Sequence, residues 1–420
     1  MITQFIIPNM KPSLNLLLLA SNHSYRVDMF NQAANLLGVP VVLGLDVPPP
    51  MLGKVGTQLA LDYQDIPRSV RRIEQFHQSQ PIGALIGLDD SGTLIAAAAS
   101  QAVGLAYNAP EAARATRDKY TMRQHFAQAG VSSPGFARYH LTDDPEQIAV
   151  STRYPCVLKP TTMAGSRGVM RADTPDEFRQ RWTRLRAMLL KERCDEFLVE
   201  DYIPGVEVAL EGLMDGGKLH VLALFDKPDP LEGPFFEETI YVTPSRLPKT
   251  VQREIVRVAE QAAQALGLHM GPVHAELRWN EADGAMMVEL ASRTIGGLCS
   301  KTLAFGSNIP LEALIIQQAM GMPLTLDRDP RAGGVMMIPI PDAGILTRVD
   351  GVADASATPL VESVEITAPL HQPLVPLPEG NSYLGFIFAR GDTPAAVENA
   401  LRLAHSKLYF EIMPSFMLPV

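Results

Sequence analysis

The sequence predicts an α/β protein of several lobes that opens on a parallel sheet. Its 420 residues exceed what one compact core usually holds. The apolar runs Leu16 to Ala20, Val41 to Leu45 and Pro81 to Leu88 alternate with helix-like stretches around Tyr25 to Leu37 and Leu94 to Val103. Strand, helix, strand at this spacing marks a parallel domain. Further on, hairpins replace crossovers. Val206 to Leu213 and His220 to Phe225 flank Asp215-Gly216-Gly217, while Val273 to Trp279 and Ala285 to Leu290 flank Asn280 to Gly284.

The elements between follow in order. Asn108 to Gly130 is helical in one or two pieces, with Asn108 as cap, Pro110 in the first turn and Gly130 as stop. Tyr154 to Pro160 and Glu196 to Tyr202 are strands. Between them Phe178, Trp182, Leu185 and Leu189 recur at helical spacing as a core-packing face. A mixed lobe therefore spans Ser132 to Ile203. A polar, proline-bearing segment covers Asp226 to Pro244, and Val251, Ile255, Val258, Ala262 and Leu266 mark a helix that Gly267 ends. Another helix covers Pro310 to Met320. The tail has strands at Val335 to Ile340, Val364 to Thr367 and Leu384 to Ala389, then a helix capped by Thr393 with Pro394 in its first turn. Boundaries are expected near 112/113, 205/206 and 330/331.

Composition narrows the function classes. Apolar residues make up 46% and charged residues 20%, as in folded rather than disordered chains. A net charge of -10 argues against a duplex nucleic acid or an anionic membrane as partner, though not against a local phosphate pocket. Cys156, Cys194 and Cys299 have no C-x-x-C spacing, so neither a disulfide framework nor a zinc site is expected. Cys299 follows two glycines and reads as a small packing residue in preference to a nucleophile. Met1 to Met10 lacks a basic segment followed by a long apolar run, and Leu16 to Ala20 is too short to span a bilayer. A cytoplasmic location is expected.

No G-x-G-x-x-G follows the first strand and no Walker A loop occurs, so neither a dinucleotide site nor a P-loop is read. Other residues carry chemistry. Glu276 and Glu289 sit in the two apolar strands of the second hairpin and can face each other across it. Hard oxygens so placed suit Mg²⁺; ordinary solvent-facing acids are the alternative. Arg293, Gly296 and Gly297 follow: a guanidinium for a developing anion, and glycines that let the backbone approach it. Lys159 ends a strand before Thr161 to Val169, a loop with Gly165, Ser166 and Gly168 that suits phosphates. Glu200 to Ile203 forms a crossover whose backbone could read an adenine edge, and Glu207 could accept from ribose hydroxyls.

The order Lys119, Lys159 with its Gly/Ser loop, Glu200 to Ile203, Glu207, Glu276, Glu289, Arg293 resembles the ATP-grasp superfamily, within it the carboxylate–amine ligases that include the L-amino acid ligases. Asp226 to Glu238 and Glu289 to Gly297 resemble segments of that ligase group. The resemblance covers residues 108 to 320 most strongly. It implies an ATP-grasp fold: a Rossmann-like parallel-sheet domain (1–112), a small α+β lid lobe (113–205), a large α+β lobe (206–330) and a C-terminal α+β extension (331–420).

The resemblance also implies roles. Lys119 and Lys159 would contact phosphates beneath the closing loop with Ser166 and Gly168. Glu200, Tyr202 and Ile203 would sit at the adenine, and Glu207 at the ribose. Glu276 and Glu289 would bind Mg²⁺, with Mn²⁺ the second candidate. Arg293 would face the acyl phosphate, with Lys159 beside it in catalysis. Gly296 and Gly297 would line the amino-acid pocket together with His274 and Glu237 or Glu238, without help from the C-terminal tail. One departure is Ala291, where many members carry a metal-binding asparagine. The implied reaction joins a carboxylate to an amine, both expected to be amino acids, with release of ADP and phosphate. A homodimer is compatible with it. The rivals are a carboxylase activating bicarbonate and an ATP-binding protein without ligase chemistry.

Overall fold

The structure is a computed structural model that describes residues 14–21, 24, 26–53, 56–306 and 308–414. The opening stretch Met1 to Met10 and the expected helix start at Tyr25 lie outside the described residues. No helix among the described residues is long and apolar enough to cross a membrane.

Strands β1 (Asn15–Ala20), β2 (Val41–Asp46), β3 (Thr57–Leu61) and β4 (Ile82–Gly87) form a parallel sheet in the order β3-β2-β1-β4. β1 reads as an unbroken apolar run because both of its faces are covered. Leu16, Leu18 and Ala20 pack with Phe30 and Ala33 of helix Arg26–Leu37, while Leu17 and Leu19 pack with Ile73 and Ile95 on the other side. Each such leucine contributes roughly 1.5–3 kcal/mol by burial, so a charge at Leu18 would break the domain. β3 and helix Ile66–Ser79 complete the unit and were not anticipated.

The helical stretch beginning near residue 108 is two helices, Pro110–Arg117 and Lys119–Ala129, with Asp118 ending one and capping the other by accepting from the Thr121 amide. Gly130 stops the second in the left-handed region, as expected. Asn108 does not cap: Ala109 holds that position with no side-chain bond. The Asn108 amide instead bonds the Met270 carbonyl and the His269 and Met270 amides, tying this segment to the large lobe.

The lid lobe is an antiparallel sheet of β5 (Phe136–His140), β6 (Cys156–Pro160), β7 (Met170–Ala172) and β8 (Glu196–Asp201), in the order β5-β8-β6-β7. Helix Pro175–Lys191 covers it with Phe178, Leu185 and Leu189. Thr174 caps that helix by accepting from the Glu177 amide.

The large lobe holds β9 (Val206–Asp215), β10 (Lys218–Asp226), β11 (Ile240–Thr243), β12 (Gly271–Asn280) and β13 (Gly284–Ala291). The segment read as polar up to Pro244 thus contains a fully buried strand, β11. A short pair, β14 (Ala304–Phe305) and β15 (Ile309–Pro310), precedes helix Leu311–Ala319. The tail adds β16 (Ala332–Ile338), β17 (Gly344–Asp350), β18 (Val361–Ile366), β19 (Pro373–Leu374), β20 (Gly385–Gly391) and β21 (Tyr409–Met413). Three of these join the large lobe in an eight-stranded sheet, β13-β12-β9-β10-β11-β16-β20-β18. The expected boundary at 330/331 is therefore crossed by hydrogen-bonded strands. Thr393 caps helix Pro394–His405, accepting from the Ala396 amide.

Candidate active site

Strand alternation builds the floor of a cleft. On β12, Val273, Ala275 and Leu277 point into the core beneath helix Lys249–Ala265. His274, Glu276 and Arg278 therefore project from the opposite face. Register does the rest: Glu276 lies across from Glu289 on β13, Arg278 from Glu207 and His274 from Glu211 on β9. The facing carboxylates expected from the sequence are thus direct cross-strand partners.

Each cation in the cleft meets a carboxylate. Lys159 Nζ lies 2.6 Å from Glu200 Oε2, and Arg123 Nε lies 2.8 Å from Glu200 Oε1. The first pair is diagonal across β6 and β8, where Lys159 pairs with Leu198. Burial alone would raise the Glu200 carboxyl, but Arg123 and Lys159 hold it below its usual range. Burial lowers Lys159, against the pull of Glu200. Lys119 opens its helix, donates to the Met163 carbonyl at 2.7 Å and lies 3.2 Å from Glu289. Its amide donates to the Thr161 carbonyl, so one residue grips the loop Thr161 to Val169 twice.

Deeper in, Lys227 is buried among Glu207 at 2.7 Å, Glu238, and Glu276 at 3.7 Å. Burial would lower Lys227, but these three carboxylates keep it well above its ordinary value. Burial raises the Glu238 carboxyl despite Lys227. Burial also opposes ionisation of Glu276, yet Lys227 and His274 hold it below the usual carboxylate range. His274 bridges Glu211 (3.2 Å) and Glu276 (3.3 Å). Burial is outweighed there by these bonds, which push the imidazole up to about 9. Arg293 Nε donates to Asp90 at 2.7 Å, a residue at the start of helix Asp90–Val103 in the first domain.

Two contiguous cavities result. The first has a cavity volume of about 120 Å³ and is lined by Lys119, Lys159, Ser166, Glu200, Tyr202, Ile203, Glu207, His274, Glu276, Glu289 and Arg293, among others. The second, of about 540 Å³, shares Gly165, Glu238, His274, Glu276 and Arg293 with the first and extends to Gly296 and Gly297. Leu298, Met337, Tyr383 and Phe386 give it apolar walls. The tail residues Thr367 to Pro369, Asn381, Ser382, Tyr383 and Phe386 line it as well, which corrects the expectation that the tail takes no part. Glu238 lines both cavities and Glu237 neither.

The crossover residues Glu200, Tyr202 and Ile203 all line the first cavity. The Glu200 carboxylate serves Lys159 and Arg123. The Tyr202 amide donates to the Pro155 carbonyl, and the Ile203 carbonyl accepts from Arg278 at 2.5 Å. Sequence reasoning passed over Arg26, Asp90, Arg123, Glu211, Lys227 and Arg278. Glu211 carried a readable signal, a lone acid in the apolar strand Val208 to Met214, and proves fully buried.

The donor set fits a hard divalent cation. Glu276 and Glu289 face each other in register beside two lysines suited to phosphate. Glu207, Glu238 and Glu276 also bring one oxygen each within 4.8 Å of one another, but the Lys227 ammonium already sits among them.

Residues 152–302 match the ATP-grasp domain family, and residues 336–413 match L-amino acid ligase C-terminal domain 2. Alanine–anticapsin ligase of Bacillus subtilis is 29% identical over 219 residues, which are 48% of this chain and 46% of that enzyme. An uncharacterized protein y4rH of Sinorhizobium fredii is 25% identical over 307 residues, 73% of this chain and 63% of that protein. The chain thus spans less than two thirds of either relative. The crystal structure of an L-amino acid ligase from Bacillus licheniformis superposes with a TM-score of 0.78 at 24% identity, over 96% of this chain and 100% of that one. N5-carboxyaminoimidazole ribonucleotide synthetase from Thermotoga maritima does so with a TM-score of 0.68 at 14% identity, over 95% and 100%. Both likenesses concern the fold alone.

Proposed function

We propose that this chain, an ATP-grasp domain joined to an L-amino acid ligase C-terminal domain, couples ATP cleavage to the joining of two amino acids. The observation that carries the reading is the shared end of the two cavities. There Arg293, His274 and Glu276 stand between a lysine-lined nucleotide cleft and an apolar-walled pocket.

A free carboxylate is a poor acyl donor. Its oxygen attacks the γ-phosphorus of ATP, ADP leaves, and a mixed anhydride forms. The amine then attacks the carbonyl carbon, phosphate leaves, and the amine loses a proton. Lys119 and Lys159 would neutralise phosphate charge, exchanging Glu289 and Glu200 for phosphate oxygens. Arg293 would stabilise the anion that develops on the transferring group, pre-aimed by Asp90. Glu276 and Glu289 would hold Mg²⁺, which when bound supplies charge neutralisation between the phosphates. Glu238 gives the pocket a carboxylate suited to an ammonium group, and Met337 and Phe386 give it apolar surface for a side chain. That apolar volume favours amino acids over bicarbonate.

The test is a screen of amino-acid pairs for ADP release with product mass measured. Amide formation with ADP and phosphate is expected. AMP with pyrophosphate, or phosphate release that depends on bicarbonate alone, would overturn the reading.

A further inference from the structure

The phosphate loop is held from outside its own lobe. Arg184, on helix Pro175–Lys191, forks onto the Glu379 carboxylate with Nε–Oε1 at 2.5 Å and Nη2–Oε2 at 2.7 Å. Arg167 Nε donates to the Glu379 carbonyl at 3.1 Å, and the Gly168 amide to the Pro378 carbonyl at 2.9 Å. A Cβ on Gly165 would stand 3.2 Å from that of Asn381. The turn that offers these groups is itself fixed. The Gly380 amide bonds the Pro376 carbonyl, and any side chain at Gly380 would collide with the Val375 carbonyl.

The loop side of this contact reaches both cavities and the tail side only the second. Met163, Gly165 and Ser166 line the nucleotide cleft, and Ala164 and Gly165 also line the second cavity. Asn381, Ser382 and Tyr383, which follow the turn directly, line the second cavity. Arg184 also lies over the Phe235 ring at 4.9 Å, so lid, large lobe and tail meet at one side chain. Its exposure, 39% against 38% for Glu379, makes the pair a reversible surface contact and not part of the core.

We propose that Glu379 is a positioning residue that latches the lid lobe to the tail, its side chain holding helix Pro175–Lys191 and thereby seating the phosphate loop on the main chain of the same turn, so that filling the second cavity and closing over the nucleotide are coupled. The inference rests on the ligase reading for its consequence. With the latch broken, water reaches the mixed anhydride, its oxygen replaces phosphate at the carbonyl carbon, and ATP is spent without amide.

The test compares Glu379→Arg, Arg184→Glu and the double exchange with the unaltered chain. One readout is amide formed per ADP, using an amino-acid pair active with the unaltered chain. The other is tryptic cleavage after Arg167, followed by mass, with a non-hydrolysable ATP analogue and Mg²⁺ present. Each single reversal is expected to speed cleavage and lower the yield about three- to tenfold, at unchanged thermal stability, as befits a partly exposed pair. The exchange is expected to restore both. Unchanged cleavage in the single variants, or an exchange that restores nothing, would overturn the latch. If the unaltered chain forms no amide with any pair, the ligase reading fails, and the cleavage rates alone decide whether the latch exists.

Discussion

The nucleotide cleft and the second cavity share one end and differ in how they are built. In the cleft, cations come already paired: Lys119 with Glu289, Lys159 and Arg123 with Glu200, Arg278 with Glu207. In the second cavity Leu298, Met337, Tyr383 and Phe386 form the far walls, and charge gathers around Arg293. Paired charges are pre-aimed, and their carboxylate partners can yield to phosphate without the cation having to move. Apolar walls do no chemistry, but their volume selects a side chain. On the proposed reading the cleft is the general part of the machine and the cavity the selective part. Substitutions should separate the two.

The sharpest test of this division lies at the shared end. Arg293→Ala is expected to lower kcat by about 10²–10³-fold while ATP affinity stays near normal, because it removes a donor to developing charge. Glu276→Gln and Glu289→Gln should lose most activity and recover part of it at high magnesium. Calorimetry of nucleotide binding beside kinetics over a magnesium titration decides the matter. Loss of ATP binding in Arg293→Ala would merge what the comparison separates.

A smaller effect is expected one step back from the chemistry. Burial would raise the Asp90 carboxyl, but Arg293 holds it below its usual range, so it is ionised and aims the guanidinium. Asp90→Asn keeps the shape and removes the charge. Loss of a hydrogen bond between charged groups is worth ~1.5–3 kcal/mol, so kcat should fall about ten- to hundredfold with KM for ATP little changed. An equal rise in KM would place Asp90 in nucleotide binding instead.

The apolar walls should answer differently. Met337→Ala enlarges the second cavity and is expected to shift kcat/KM by about tenfold towards bulkier apolar side chains. ATP affinity should not change. A parallel thermal melt is needed, since truncating a buried methionine costs about 2–5 kcal/mol. Unaltered preference across the amino-acid screen would remove Met337 from the selective wall. At Gly297, by contrast, the backbone has φ +60° and an added Cβ would meet Met337 Sδ at 2.9 Å. Substitution there mixes strain with selection, which makes Met337 the cleaner probe.

The same contrast governs what could be read from the sequence. The cleft's Glu276, Glu289, Lys159 and Arg293 stand in short motifs where a charge interrupts an apolar strand or precedes glycines, so they were visible locally. β1, β2, β4 and both hairpins were visible for the same reason, as runs with period or turn signals. The partners were not. Asp90 lies 203 positions from Arg293, and only the fold brings them together. Arg123, Lys227 and Arg278 look like ordinary surface cations until burial and register assign them carboxylates. The tail's contribution to the second cavity was hidden because Met337, Tyr383 and Phe386 are unremarkable apolar residues whose location depends on β16 and β20 joining the large sheet. Helix Ile66–Ser79 carried a legible pattern, Ile66, Val70, Ile73 and Phe76, that was passed over.

The smallest effect is expected at Cys299, on the wall of the second cavity. Its thiol lies 3.4 Å from the Gly297 carbonyl and is buried. Burial, helped by the charges of Glu238 and Glu211, raises it well above its ordinary value. A raised thiol pKa leaves almost no thiolate at neutral pH, and only the thiolate is nucleophilic. Cys156 is likewise pushed up to about 12 by burial in the lid sheet. Of the cysteines, only Cys194 is partly exposed. A thiol reagent at pH 8 should therefore label Cys194 quickly and the other two only on unfolding. Raising the pH to 9 should not change the pattern, since both buried thiols titrate above that. Cys299→Ala should keep activity within about twofold, as for a small apolar packing residue. Rapid native labelling of Cys299, or loss of turnover in Cys299→Ala at unchanged stability, would turn this wall residue into part of the chemistry and blur the line between the two cavities.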